Sequence, residues 1–163
     1  MIIRSATLGI SSESHNKAKL ESDISFFFDR ATDMFNGQGF EFRTHRMILP
    51  ALSINESIDN EKIISTVRWL SDFCERKGVR WFCVPFLTFG QEMREINSVA
   101  IEIAKRYKNA FINFIVAENG HLNRHGALYV SKFIKSVSML SGNGYDNFRV
   151  GASFNCKPNG PFF

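Results

Sequence analysis

The chain has 163 residues, of which 44% are hydrophobic and 22% are charged, the proportions of one soluble globular domain. Its formal net charge is +4, and its lysines and arginines are interleaved with acidic residues, which argues against the clustered basic patch of a nucleic-acid-binding protein. Three widely spaced cysteines, no signal peptide and no apolar run of the ~18 residues that a membrane helix needs favour a cytoplasmic protein without disulfides or membrane contact.

The first half of the chain predicts two strands and two helices. Ile2 to Ile10 is β-branched and predicts a strand, and apolar residues three and four apart predict a helix from about Ser14 to Phe35. Phe40 to Leu49 alternates apolar and polar residues, which is typical of a second strand. Ser53 to Glu56 has the spacing of a capping box, and the helix that follows it is expected to end at Gly78.

The second half continues the alternation. Val79 to Phe86 is a near-continuous apolar run, which indicates a strand buried on both faces, with pairing expected to stop near Pro85 because proline has no N–H. The later elements are a helix over 91–107, a strand over 110–117, a helix over 123–140 and a strand over 148–156. The pattern predicts one α/β domain over residues 1–163, with five alternating βα units and a mostly parallel sheet.

Ligands of such sheets bind beyond the carboxyl ends of the strands, so the candidate catalytic residues are sought there. Glu118 and His121 follow the fourth strand and are candidates for proton transfer. Cys156 ends the fifth strand beside Lys157, whose ammonium would favour the nucleophilic thiolate, although no base partner is identifiable. The other two cysteines stand at inward positions and are expected to be core residues.

Basic residues in the second strand suggest an anion site. Arg43, His45 and Arg46 either face a small anionic ligand or merely pair with Glu41 and solvent, and both interpretations stay open. Arginine binds carboxylates and phosphates through two parallel hydrogen bonds. The candidate ligand-binding residues are Arg43, Arg46, Asn155 and Lys157.

A metal or a phosphate motif is not indicated. His121 and His125 stand four apart, but His121 is expected to precede the helix and the sequence lacks His-Glu-x-x-His, which favours a polar helix N-terminus. The sequence contains neither of the Gly-rich phosphate-binding motifs G-x-G-x-x-G and G-x-x-x-x-G-K-[ST]. Glu118 to Gly120 either presents N–H groups to an anion or simply forms a turn. The cofactor is therefore unknown.

Short motifs resemble one known family along the whole chain, in order. Ile3 to Ile10 resembles the opening "IRTITLGI" strand of the uncharacterised family called domain of unknown function 711. Arg43 to Arg46 resembles that family's second strand, and Phe86 to Gln91 resembles the end of its third strand. Pro158 to Phe163 is similar to its "NPFF" segment, except that Gly160 intervenes here.

The resemblance implies a barrel like that of pyruvate formate-lyase-type glycyl radical enzymes, in which ten strands form two five-stranded parallel halves. This chain would supply one half, without the radical loop, and radical chemistry is not expected. The ending on Pro161 to Phe163 suggests the N-terminal part of a longer protein. The expected partner is the C-terminal remainder or a second copy, giving an oligomer along the edge strands.

The resemblance brings no known reaction with it, so no catalytic residue is carried over. The expected function is that of an enzyme-like α/β-barrel protein of unknown reaction that acts on a small anionic molecule. The alternative is a non-catalytic binding or regulatory module on the same scaffold, since fold does not determine function.

Overall fold

The computed structural model describes residues 1–10, 16–53, 60–89 and 93–154. The helices in these ranges are α1 (Lys17–Gly37), α2 (Asn60–Lys77), α3 (Met93–Arg106) and α4 (Arg124–Ser138). The strands are β1 (Ile2–Ile3), β2 (Ala6–Gly9), β3 (Glu41–Phe42), β4 (His45–Ile48), β5 (Trp81–Leu87), β6 (Ala110–Glu118), β7 (His121–Leu122) and β8 (Val150–Phe154), with a 3-10 helix (Tyr145–Arg149) before β8.

The main sheet is parallel and follows chain order. β2 pairs with β4, β4 with β5, β5 with β6, and β6 with β8, all in the parallel sense. β7 is the exception, because it folds back and pairs antiparallel with the end of β6. The predicted α/β class with a mostly parallel sheet is confirmed.

The first two predicted strands are each divided in two. β1 pairs with β3 in a separate two-stranded ladder, while β2 pairs with β4 in the main sheet. Between them the Thr44 hydroxyl donates to the Arg4 carbonyl at 2.9 Å, and the Ala6 N–H donates to the Thr44 carbonyl at 3.1 Å. Local side-chain hydrogen bonding of this kind competes with a continuous ladder. The alternation of apolar and polar residues does not indicate this break in the strands.

Pro85 interrupts pairing on one side of β5 only. Toward β4, the ladder ends at Ile48 opposite Cys83 and resumes where the Leu52 N–H donates to the Pro85 carbonyl at 2.8 Å. Toward β6, pairing continues from Pro85 to Leu87. The expected end of pairing near Pro85 is therefore wrong for the β6 side, because the missing N–H faces the gap beside β4.

One face of the sheet packs against the helices. Strand residues such as Met47, Phe82 and Phe114 join side chains from all four helices in one buried cluster. The buried residues of α2, α3 and α4 recur at helical spacing and include Val67, Leu70, Phe73, Ile96, Val99, Ala100, Ile103, Val130, Phe133 and Val137. Ile134 of α4 is 40% exposed, because it lies about 100° round the helix from the buried Phe133.

The other face, called here the second face, carries the intervening strand residues. Successive side chains of a strand point to opposite sides, and the register aligns these positions across neighbouring strands. The second face comprises Thr7, Arg46, Ile48, Trp81, Cys83, Phe111, Asn113, Ile115 and Ser153. Its polar groups include Asn113, whose Nδ2 donates to Ser153 Oγ at 2.6 Å.

A buried ion pair ties the 3-10 helix to the end of α3. Arg149 and Asp146 are 5% and 8% exposed at their side chains and lie 2.6 Å apart. The Arg149 guanidinium also donates to the carbonyls of Ala104, Tyr107 and Ala110 at 2.9 to 3.0 Å. A buried arginine is tolerated when its donors are all used in this way.

The start of α4 is locked to the end of β5. Asn123 caps α4 by accepting from the Gly126 N–H at 2.9 Å, and its Nδ2 donates to the Thr88 carbonyl at 2.6 Å. Thr88 is buried and donates from its hydroxyl to the Ile115 carbonyl at 2.8 Å.

The described helices include none with the length and apolar character needed to cross a membrane.

Candidate functional site

A cavity of about 260 Å³ opens on the second face, at the amino ends of the strands. Its lining residues within the described ranges are Arg4, Arg46, Met47, Trp81, Phe82, Cys83, Phe111 and Phe148. The parallel register brings them together, because Arg46 is aligned with Trp81 across β4 and β5, and Cys83 with Phe111 across β5 and β6. The cavity thus draws on three adjacent strands and on segments far apart in the chain.

Aromatic rings form one wall of the cavity. Trp81 and Phe111 meet edge to face, with ring centroids 5.2 Å apart and planes at 86°. Phe111 meets Phe148 in the same manner, at 5.6 Å and 69°. Phe148 belongs to the 3-10 helix, where it stacks against Tyr145 at 6.1 Å. Such edge-to-face pairs hold rings at defined angles, so the wall is a set of rings with fixed orientation.

Positive charge converges on the same place. Arg4 and Arg46 line the cavity, and Arg80 lies with its guanidinium 5.2 Å from the Trp81 ring. Partial burial lowers the pKa of Arg46 from its usual value, and the charges of Arg4 and Arg80 lower it further. The charges of Arg4 and Arg80 therefore act on Arg46 at short range, and all three add positive charge at or beside the cavity.

Cys83 is held as a thiol at the floor of the cavity. Its side chain is 8% exposed, and burial raises its pKa to about 12. Cys74 is buried in α2 and its pKa is likewise raised to about 12 by burial. The thiolate is the nucleophilic form, so neither cysteine is a nucleophile at neutral pH. The prediction that both are core residues is confirmed.

A family model described as "Uncharacterised ACR (DUF711)" matches residues 1–163. The chain belongs to the DUF711 family. The resemblance drawn from the strand motifs is thereby confirmed. Neither the curated proteins nor the solved structures contain a match to it.

The basic residues of the DUF711 chain's second strand do not act together. Arg43 precedes β4, is exposed, and pairs with Glu41 at 3.0 Å. His45 turns to the helix side, where it shares a hydrogen bond with Thr32 at 3.0 Å. Burial lowers the pKa of His45. Of these three residues only Arg46 reaches the cavity, while Arg43 follows the alternative in which it pairs with Glu41.

Arg46 also lies at the other end of the sheet from the one expected. It is the second residue of β4 and is aligned with the first residue of β5. The expectation that Arg43 and Arg46 lie at a carboxyl strand end is therefore wrong, because the predicted ten-residue strand is really two short ones and β4 begins only at His45.

Glu118 and His121 lie at the carboxyl end of β6. Asn119 and Gly120 have φ of 50° and 79°, the left-handed pair of a tight hairpin turn, so Glu118 and His121 face each other across β6 and β7. Phe111 of the cavity is seven residues earlier on β6, roughly 23 Å away at strand spacing. Among the predicted residues that the structure describes, Glu118 and His121 are thus not brought together with Arg46.

The two histidines near this turn belong to different elements. His121 is in β7 and His125 in α4, separated by the cap Asn123. In the part of the chain that the structure describes, no three His, Cys, Asp or Glu side chains are grouped closely enough to hold a metal ion. Asn155, Cys156 and Lys157, like the terminal segment to Phe163, lie outside the described residues, and their roles stay predictions.

Most of the cavity residues were not expected from the sequence. Arg4, Trp81, Phe111 and Phe148 come from four separate segments, and only the register places them beside Arg46. One signal was available: the aromatic residues Trp81 and Phe111 stand near the start of consecutive predicted strands. In a parallel sheet such positions lie side by side.

Proposed function

We propose that this DUF711 chain binds a small anionic molecule in the cavity between Arg4 and Arg46. The observation that carries the proposal is that two guanidiniums, those of Arg4 and Arg46, line one partly enclosed space, while a third, that of Arg80, lies beside it against the Trp81 ring. A guanidinium binds carboxylate or phosphate oxygens by charge-assisted hydrogen bonds, which strengthen when water is partly excluded. Concave sites of this kind, with apolar walls and a few charged groups, are typical of ligand pockets.

The groups at the cavity suit binding better than proton transfer. Its described lining offers guanidiniums, rings and a thiol whose pKa is about 12. A general acid or base works best with a pKa near the operating pH. We therefore propose a binding role for the cavity, which favours the binding or regulatory alternative there. The roles proposed for Glu118 and His121 concern the opposite end of the sheet.

We further propose that the sheet is one half of a closed barrel. Five parallel strands stand in chain order with the helices packed on one face, which is how a barrel wall is wound. The second face, with Arg46, Asn113 and Ser153, would then line the interior. The other half would come from the remainder of a longer protein or from a second copy.

The barrel proposal predicts association of the chain when it is alone. β2 and β8 each pair with one described strand of the main sheet, and an edge strand offers unpaired N–H and C=O groups. We expect light scattering to show a species of at least twice the chain mass. A monodisperse monomer with no second fragment present would contradict the proposal.

Replacing Arg46 with glutamine tests the anion site. Glutamine keeps a polar side chain, although a shorter one, and removes the charge. We expect affinity for small carboxylates and phosphate to fall about tenfold, the usual worth of one charge-assisted hydrogen bond. Isothermal titration calorimetry with acetate, benzoate and inorganic phosphate measures the change.

The matched control is Arg43→Gln. Arg43 lies three positions away in the chain and loses the same charge, but its side chain is 54% exposed and paired with Glu41. We expect Arg43→Gln to bind all three anions as the natural chain does. If the natural chain and Arg46→Gln bind every anion with equal affinity, the proposal is refuted. If Arg46→Gln and Arg43→Gln lose affinity equally, the loss is an effect of net charge and the proposed site at Arg46 is refuted as well.

A further inference from the structure

The rings at the cavity define planar surfaces rather than a round apolar pocket. Trp81 and Phe111 stand nearly perpendicular, at 86°, and Phe111 and Phe148 at 69°. Each pair forms a corner in which a flat group can stack on one ring while its edge meets the face of the next. A bulky saturated group fills such a corner less well, because its thickness keeps it from one of the two surfaces.

Two rings beside the cavity are left largely in water. Phe148, which lines it, is 62% exposed, and Tyr145, stacked on Phe148, is 67% exposed. Their exposed apolar surface adjoins the cavity through Phe148. Covering these rings with an apolar part of a ligand would remove that surface from water.

The size of the cavity limits the ligand. Its volume of about 260 Å³ is slightly below the ~300 Å³ at which pockets for drug-sized molecules begin. One ring with its acidic group fits within this space. The arginines Arg4 and Arg46 lie on the same lining as the rings, so the charged and flat parts of one small molecule can be held together.

We infer that the anion bound between Arg4 and Arg46 is a single-ring aromatic acid, whose carboxylate or phosphate is held by the guanidiniums and whose ring lies against Trp81, Phe111 and Phe148. This inference rests on the proposed anion-binding function and names its ligand class. The aromatic residues select the flat ring, and the arginines select the charge.

The test compares four probes by calorimetry on the whole chain: benzoate, cyclohexanecarboxylate, acetate and benzyl alcohol. Benzoate and cyclohexanecarboxylate share charge and approximate size but differ in flatness, acetate has the charge alone, and benzyl alcohol has the ring alone. We expect benzoate to bind about tenfold more tightly than acetate. It should also bind about threefold more tightly than cyclohexanecarboxylate. Benzyl alcohol should bind more weakly than benzoate.

Phe148→Ala supplies the residue-level test. Because Phe148 is 62% exposed, its replacement is expected to leave the fold intact, which circular dichroism checks. We expect benzoate affinity to fall about fivefold while acetate affinity is unchanged. Phe26→Ala is the control, since Phe26 is 68% exposed on α1 and is not among the residues that line the cavity.

The outcomes separate this inference from the proposed function. If acetate and cyclohexanecarboxylate match benzoate, and Arg46→Gln weakens all three, the ligand is a small anion of another class and the aromatic inference is overturned. If benzoate and benzyl alcohol bind equally and Arg46→Gln changes neither, the anion-binding function itself fails. A selective loss of benzoate affinity in Phe148→Ala, absent in Phe26→Ala, supports both.

Discussion

Replacing Arg149 with methionine is expected to lower the free energy of unfolding by about 3–5 kcal/mol, the usual cost of removing one partner of a buried ion pair. Methionine fills similar space but donates nothing, so the Asp146 carboxylate is left buried, and Lys108, at 3.3 Å, is the one other ion-pair partner it has among the described residues. The three carbonyls near the end of α3 that accept hydrogen bonds from the guanidinium lose their donor as well. Urea denaturation at neutral pH measures the loss.

The pH dependence of this loss identifies its cause. The hydrogen bond from Arg149 holds the pKa of Asp146 below its usual value of 3.8, against the opposing effect of burial. The carboxylate therefore stabilises the natural chain above about pH 4, and that contribution is lost as pH falls through the lower folded pKa. In Arg149→Met the main cause of the lowering is gone. The stability gap between the two proteins should then narrow below about pH 4.

Arg106→Met is the control for Arg149→Met. Arg106 makes an ion pair of similar length with Glu102, 3.0 Å, one turn away on α3, but its side chain is 56% exposed. Exposed pairs of this kind contribute about 0.2–1 kcal/mol, so the control should remain close to the natural chain. A loss below about 1 kcal/mol for Arg149→Met, or a gap that does not change with pH, would contradict the role assigned to the pair.

Periodicity predicted most of the fold because burial of a helix stripe is a local property of sequence. Val67 and Ile103 recur at helical spacing, and both are fully buried. The breaks at Arg4 and Thr44 could not be predicted in this way, since they depend on a hydrogen bond between residues forty positions apart. The hairpin at Asn119 and Gly120 was predictable, because Asn-Gly between strand residues is a strong turn signal.

Only one residue of the candidate site was predicted from the sequence. Arg46 was a candidate ligand-binding residue, with an anion and solvent both left open as its surroundings, and it lines the cavity. The predicted end of the sheet was wrong. A residue can be assigned to the start or the end of a strand only when the true start of that strand is known, and β4 starts five residues later than expected. Trp81 and Phe148 could not be joined to Arg46 from sequence, since contact between them depends on register and on the 3-10 helix.

Replacing Gly126 with alanine is expected to lower the free energy of unfolding by about 2 kcal/mol, even though alanine is the better helix former by about 1 kcal/mol. A Cβ at this position would stand 2.7 Å from Thr88 Oγ1, 2.8 Å from Thr88 Cβ and 2.9 Å from Asn123 Nδ2. Thr88 is 1% exposed and has no room to withdraw. Either α4 moves from the sheet or the hydroxyl leaves the Ile115 carbonyl, and both weaken the cap.

Gly37→Ala separates this steric effect from helix propensity. Gly37 is the last residue of α1, and a Cβ there would meet nothing within 4 Å. With open space and the same change in backbone freedom, it should be neutral or stabilising by up to ~1 kcal/mol. Opposite signs for the two variants in thermal and urea denaturation are the expected result. If Gly126→Ala is as stable as the natural chain, the contact between α4 and the end of β5 is looser than the distances around Gly126 require.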